Sequence, residues 1–302
     1  MLRQAFNNVH IIGRLNEINL TERDSAKDNR HYVSGEVTFL VDQAIGGIDE
    51  TEVIPVRVFA FEKKSNGDSN PSFTNIKDLM THGISVAATG DATKADVYEC
   101  NCRVQENNFL GRDGVMVSSN QISSGFFTKR STTAVEEEAT FEQEVVIAQI
   151  FDETRNDEPT GRLVIDGLVV QWNGAPDKIR YVVESPDAIS YIEQKWEAEN
   201  TVKLSGKIRY GSEKVELENA DSTAFGEAPT RVRTRTIHDF VVTAGSSPYD
   251  EDMAYNCEEV ATALAERKAN TERRLKEQKS SDNSGASATP ATPKASRLSR
   301  GF

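Results

Sequence analysis

Cysteine, histidine and tryptophan are scarce in this chain of 302 residues, which has three, four and two of them. Cys100, Cys102 and Cys257 are too few for a disulfide framework and fit a reducing compartment. Cys100 and Cys102 have no third or fourth ligand at zinc spacing nearby, so both read as ordinary strand residues, and neither a metal nor another cofactor is expected. His10, His31, His82 and His238 are scattered and pair with no nucleophile or acid, so the chain is not expected to be an enzyme. No apolar run approaches the ~18 residues of a membrane span. The segment Met1 to Asn8 lacks the apolar core of a secretory signal, and the expected location is the cytoplasm, that of the host if a virus encodes the protein.

Positive charge is also in short supply, with a net charge of -13, but the deficit is uneven. Residues 1–130 carry -3, residues 131–250 carry -11 and residues 251–302 carry +1. A nucleic-acid surface needs only local positive potential over a groove, so the first segment is the better candidate for one.

What is present centres on Thr51 to Phe61, which alternates at the period of a β-strand. Ile54, Val56, Val58 and Ala60 point one way, as a core requires, while Val53, Pro55, Arg57, Phe59 and Phe61 point the other. A guanidinium beside exposed rings suits a single-stranded nucleic acid, whose bases stack while its phosphates meet positive charge. The alternative is a strand buried on both faces, with Arg57 reaching its charge to the rim.

Around this strand the chain spells out a barrel. Asn7 to Leu15 reads as a first strand with Gly13 at a bend or close approach, Thr21 to Arg30 as a loop, and Tyr32 to Asp42 as a second strand. Gly46-Gly47 turns the chain into the third. A helix follows, with Ser72 as its cap and Phe73, Ile76, Leu79 and Met80 at helical spacing, ending at His82-Gly83. Ile84 to Gly90 begins a fourth strand, and a hairpin with a glycine-rich tip around Phe109 and Arg112 returns through Val115 to Phe127 as a fifth. Five strands with a helix between the third and fourth is the order of an OB-fold.

Asn7-Asn8-Val9-His10-Ile11-Ile12-Gly13-Arg14-Leu15 resembles the opening strand of bacterial and phage single-stranded DNA-binding proteins. Gly35 to Val41, Thr51 to Phe59, Asn75 to Val86 and Val115 to Phe126 resemble later segments of that family in the right order, so the resemblance covers residues 6–128. It implies an OB-fold that binds single-stranded DNA, with Phe59 at the position of a base-stacking aromatic. The expected contact surface is Arg14, Arg57, Phe59, Phe61, Phe109 and Arg112. One departure is Gly90-Asp91, where the family usually has Gly-Arg, which removes a cation from the expected groove.

A linker falls at residues 131–140, and a second cycle follows over 141–250: strands at Glu144 to Phe151, Gly161 to Trp172 and Lys178 to Glu184, a helix at Ala188 to Glu199, then strands at Val202 to Ile208 and Arg231 to Ala244. Val202 to Ile208 echoes Val86 to Ala92, which reads as a diverged duplication. Trp172, beside Asn173-Gly174, is placed for exposure, and Trp196, on the apolar stripe of a helix, for core. Arg231, Arg233 and Arg235 share one strand face, as a phosphate track or as partners for the acidic residues of their own domain.

Residues 251–279 hold a helix with Cys257, Val260, Leu264 and Lys268 on one side, and residues 280–302 should be a disordered tail. Bacterial members of the resembled family commonly end in a flexible tail with an acidic tip and a terminal Phe that recruits replication and repair enzymes. This chain ends in Phe302, but Lys294, Arg297 and Arg300 make its tip basic.

The expectation is therefore an all-β protein with short helices: tandem OB-fold barrels, a C-terminal helix and a disordered tail. It would coat and protect single-stranded DNA in replication, recombination or repair. Its partners would be that DNA and replication or recombination proteins met by the helix and tail, with no membrane, and its first strand offers an edge for a homodimer. The rival reading is an interaction scaffold whose barrels bind partner proteins and whose acidic second domain mimics nucleic acid.

Overall fold

The computed structural model describes residues 2–111, 115–131, 135–155, 157–217 and 231–284. Among these residues eleven strands form one continuous sheet that closes on itself twice. The first closure uses β1 (Asn7–Asp24), β2 (His31–Ile45), β3 (Ile48–Phe61), β4 (Val97–Leu110) and β5 (Met116–Ser123). They run in the order β1-β2-β3-β5-β4 and return to β1, with β3 and β5 parallel and every other pair antiparallel. A short β6 (Thr128–Arg130) covers the start of β4.

The second closure repeats the design with β7 (Glu138–Arg155), β8 (Glu158–Val170), β9 (Pro176–Val183), β10 (Thr201–Leu217) and β11 (Arg231–Gly245). Its order is β7-β8-β9-β11-β10 and back to β7, again with one parallel pair, β9 with β11. Helices α1 (Pro71–His82) and α3 (Pro186–Lys195) stand between the third and fourth strands of each half. This is the OB-fold order twice over.

Local chemistry accounts for these elements. Gly46 and Gly47 both have positive φ, 61° and 83°, as a two-residue hairpin between β2 and β3 requires. A side chain at Gly35 would put its Cβ 2.0 Å from the Asn19 carbonyl oxygen, so only glycine lets β2 pass that close to β1. Helix α1 starts at Pro71, and its cap is Asn70, whose side chain accepts from the Ser72 amide; Ser72 itself is inside the helix. Phe73, Ile76 and Leu79 of α1 are buried, and Trp196 closes α3 in the core of the second barrel.

The structure departs from the sequence pattern at several further places. Thr21 to Asp24 are strand, not loop, because β1 runs on as a polar arm paired to the start of β2. Ile84 to Gly90 is not a strand: Ser85 caps the short helix α2 (Val86–Thr89), Gly90 ends it at φ 69°, and the fourth strand waits until Val97. The echo of β10 is therefore β4, not Val86 to Ala92. Residues 138–140 belong to β7 rather than to a linker. Finally, the edge of β1 that seemed open to a second copy is filled from within, since Asn7 to Ile12 pair with Gln143 to Glu138 of β7.

That pairing fuses the barrels. Behind it runs a chain of polar side chains: Tyr181 donates to Gln143 at 2.7 Å, Gln143 to Asn7 at 2.8 Å, and Asn7 to the Val104 carbonyl at 2.8 Å. Elsewhere at the junction the Tyr210 amide donates to buried Glu52 at 2.5 Å. Helix α4 (Cys257–Ser284) lies across the joint, with Val260 buried and Arg267, rather than Lys268, turned inward. Arg267 meets Glu106 of β4 and, at 2.6 Å, Asp177 of β9. Residues 285–302, which include most of the expected tail, lie outside the described residues, as do the side chains of Arg231, Arg233 and Arg235.

Candidate nucleic-acid interface

Antiparallel pairing sets the outer face of β2 and β3 row by row. Tyr32 lies opposite Phe61, Ser34 opposite Phe59, and Glu36 opposite Arg57. Ile54, Val56, Val58 and Ala60 are buried beneath, so the aromatic face is the outer one. Phe59 is 58% exposed, an expensive position for a ring unless something covers it at work. Tyr32 and Phe61 hold it from two sides, at centroid distances of 5.4 and 5.0 Å. The Arg30 guanidinium sits 3.8 Å over the Phe61 ring.

Beside the rings the outer faces of β3, β4 and β5 enclose an open cleft of about 670 Å³. Small side chains make the room: Ser34 and Gly35 on β2, Ser123 on β5, then Ser124 and Gly125. Asn101, Gln105 and Gln121 offer amides, and the charged groups lining the cleft are Arg57 and Arg103. Among the described residues no carboxylate lines it; Glu36 stands at its border, 3.9 Å from Arg57. Aromatic faces, amides and two cations in one trough can stack bases, hydrogen-bond their edges and meet phosphates.

At Arg57 and Gln121 the cleft passes into a smaller recess between the barrels, bounded by Tyr210 and His238 with ring centroids 4.6 Å apart. Burial pushes His238 down to about 4, against the pull of Asp239, so this imidazole is neutral at ordinary pH.

Of the residues expected from sequence, Arg57, Phe59 and Phe61 come together here. Arg14 does not join them: it is paired to Asp42 and, at 2.8 Å, to Glu137. Both partners also line a pocket with Asp49, Glu50, Glu136, Glu138 and Lys207, whose negative balance is unfavourable to phosphate. Phe109 lies farther along β4 and is 43% exposed, and Arg112 lies outside the described residues. Gly90-Asp91 forms a turn, so the missing cation has no bearing on the cleft. Sequence reasoning missed Arg30, Tyr32 and Arg103. The same alternation that revealed Phe59 marks Tyr32 on β2 and Asn101, Arg103 and Gln105 on β4, once β4 is known to begin at Val97.

The family model described as YorF matches residues 5–281. No curated protein matches the chain. Among solved structures, a deletion mutant of the single-stranded DNA binding protein from Thermus aquaticus aligns at 10% identity and a TM-score of 0.48, over 82% of this chain and 97% of that one. The wild-type protein from the same organism aligns at 8% identity and a TM-score of 0.46, over 85% of this chain and 99% of the other.

Proposed function

We propose that this chain, which belongs to the YorF family, binds single-stranded DNA through the outer face of its first barrel. The observation that carries the reading is the cleft beside Phe59, whose lining combines an exposed ring with Arg57 and Arg103 and no carboxylate among the described residues. Stacking contributes about 1–3 kcal/mol per base whatever the base, so a few rings and phosphate contacts give useful, sequence-tolerant affinity. The protein acts by binding rather than by catalysis. It holds the strand extended, melts hairpins by mass action and shields the strand from nucleases during replication, recombination or repair. The cytoplasm of the cell that makes it is where this work takes place.

A gel shift with an unstructured oligonucleotide across a salt series tests this. Binding at low salt that weakens linearly on logarithmic axes is expected. Absence of binding even at the lowest salt would favour the rival, a scaffold for protein partners, to which the acidic pocket around Glu136 to Glu138 lends its charge.

A further inference from the structure

Trp172 is 68% exposed, the most exposed large apolar side chain among the described residues. It sits on the turn between β8 and β9, and that turn is rigid. The Gln171 amide donates to the Ala175 carbonyl at 2.9 Å, the Gly174 amide to the Gln171 carbonyl at 2.9 Å, and Gly174 takes φ 78°. The turn is also tied to the first barrel. Gln171 donates to the Val104 carbonyl at 3.2 Å, the Glu106 amide to Asp177 at 2.8 Å, and the Lys178 amide to Glu106 at 3.1 Å. The backbone that carries the indole is therefore held at the side of β4.

Between them lies a second cleft, of about 390 Å³, bounded by Trp172, Asn107, Asn108, Asn270 and Arg274. Its carboxylates, Glu106 and Asp177, share Arg267, and the exposed Arg274 brings the charge of the lining to balance, so the cleft does not repel phosphate as the rest of the second barrel does. Gln105 borders this cleft and the one beside Phe59 alike. Asn101, Arg103, Gln105 and Asn107 stand on one face of β4 at period two, so the two clefts are neighbouring stretches of one row, on the order of 20 Å long at the rise of a strand.

We propose that Trp172 is a second base-stacking station on the single-stranded DNA path, taking a nucleotide of the same strand that lies beside Phe59. The inference rests on the proposed function and extends it: the acidic second barrel then contributes to binding through one aromatic turn rather than through charge.

Tryptophan emission of the full chain reads this directly, because the other tryptophan, Trp196, is 5% exposed and in the core. Oligothymidylate of about 30 nucleotides exceeds the ~4–16 that one OB-fold spans and reaches both clefts. It should quench Trp172 while a fluorescein label on it reports binding by anisotropy. Trp172→Ala should weaken this oligonucleotide by about 5- to 150-fold, one stack's worth, leave one of about 6 nucleotides little changed, and lose the quench. Trp172→Phe should restore most of the affinity. Binding by anisotropy with unchanged emission and an unaffected Trp172→Ala variant would overturn the station and leave the first cleft standing. No anisotropy change with either oligonucleotide would overturn the underlying function as well.

Discussion

At the scale of single residues, side chains that face the cleft differ from those that hold the fold. Phe59 rests on Tyr32 and Phe61 but covers nothing in the core, so Phe59→Ala should cost ~1–3 kcal/mol of single-strand affinity with little change in melting temperature. A large drop in melting temperature with unchanged affinity would mean that the ring is structural. Arg57→Ala and Arg103→Ala should each flatten the salt dependence by about 0.7 of a logarithmic unit, one phosphate contact on a single strand. Arg14→Ala should leave that slope alone, since its guanidinium faces Asp42 and Glu137. Titrations at several salt concentrations separate the three. Glu52 makes a different prediction. Burial pushes its carboxyl up to about 7, opposed by the Tyr210 amide and helped by Glu50. Above the ordinary carboxylate range the unfolded chain has released this proton and the folded one still holds it, so stability falls as pH rises towards and through 7. Glu52→Gln keeps an acceptor for the Tyr210 amide. It should melt higher than the parent at pH 8, with the difference shrinking towards pH 5; equal melting curves at both pH values would contradict it.

Among the elements, strands and helices with one dry face were legible in the sequence and the joints between them were not. The alternation in Thr51 to Phe61 and the helical spacing of Phe73, Ile76 and Leu79 both report burial against a single core, which a pattern can show. Ile84 to Thr89 misled because Ile84-Ser85-Val86 reads as strand until Ser85 accepts from the Ala88 amide and closes a helical turn. The pairing of Arg14 was illegible for a related reason: its partners Asp42 and Glu137 are 28 and 123 residues away, and no local period announces an ion pair of that span. Helix α4 is the element whose role is most exposed to test. Arg267 is the counter-charge of both Glu106 and Asp177, which are nearly buried, and removing it leaves two carboxylates facing each other. Arg267→Ala should therefore lose up to about 3–5 kcal/mol of unfolding free energy, measured by urea denaturation; a loss below about 0.5 kcal/mol, the level of an ordinary surface change, would show that α4 does not clamp the barrels.

For the whole molecule the duplication was legible and the fusion was not. Two runs of strand, strand, strand, helix, strand, strand can be counted along the chain, but that β7 lays Glu138 to Gln143 against β1 follows only from the assembled fold. The consequence is oligomeric: the edge through which a single barrel would meet another copy is occupied by the chain's own second barrel. Light scattering at micromolar concentration should give the mass of one chain, and a mass of two chains would mean that self-association uses some other face. The uneven charge fits the same picture, with the cleft beside Phe59 in the segment that carries -3 and Trp172 in the segment that carries -11. The most direct test of the central claim is ultraviolet cross-linking of the full chain to oligothymidylate, followed by mapping of the modified peptides. Attachment at Tyr32, Phe59 or Phe61 is the predicted result; cross-links confined to the acidic pocket around Glu136 to Glu138, or to the second barrel away from Trp172, would contradict it.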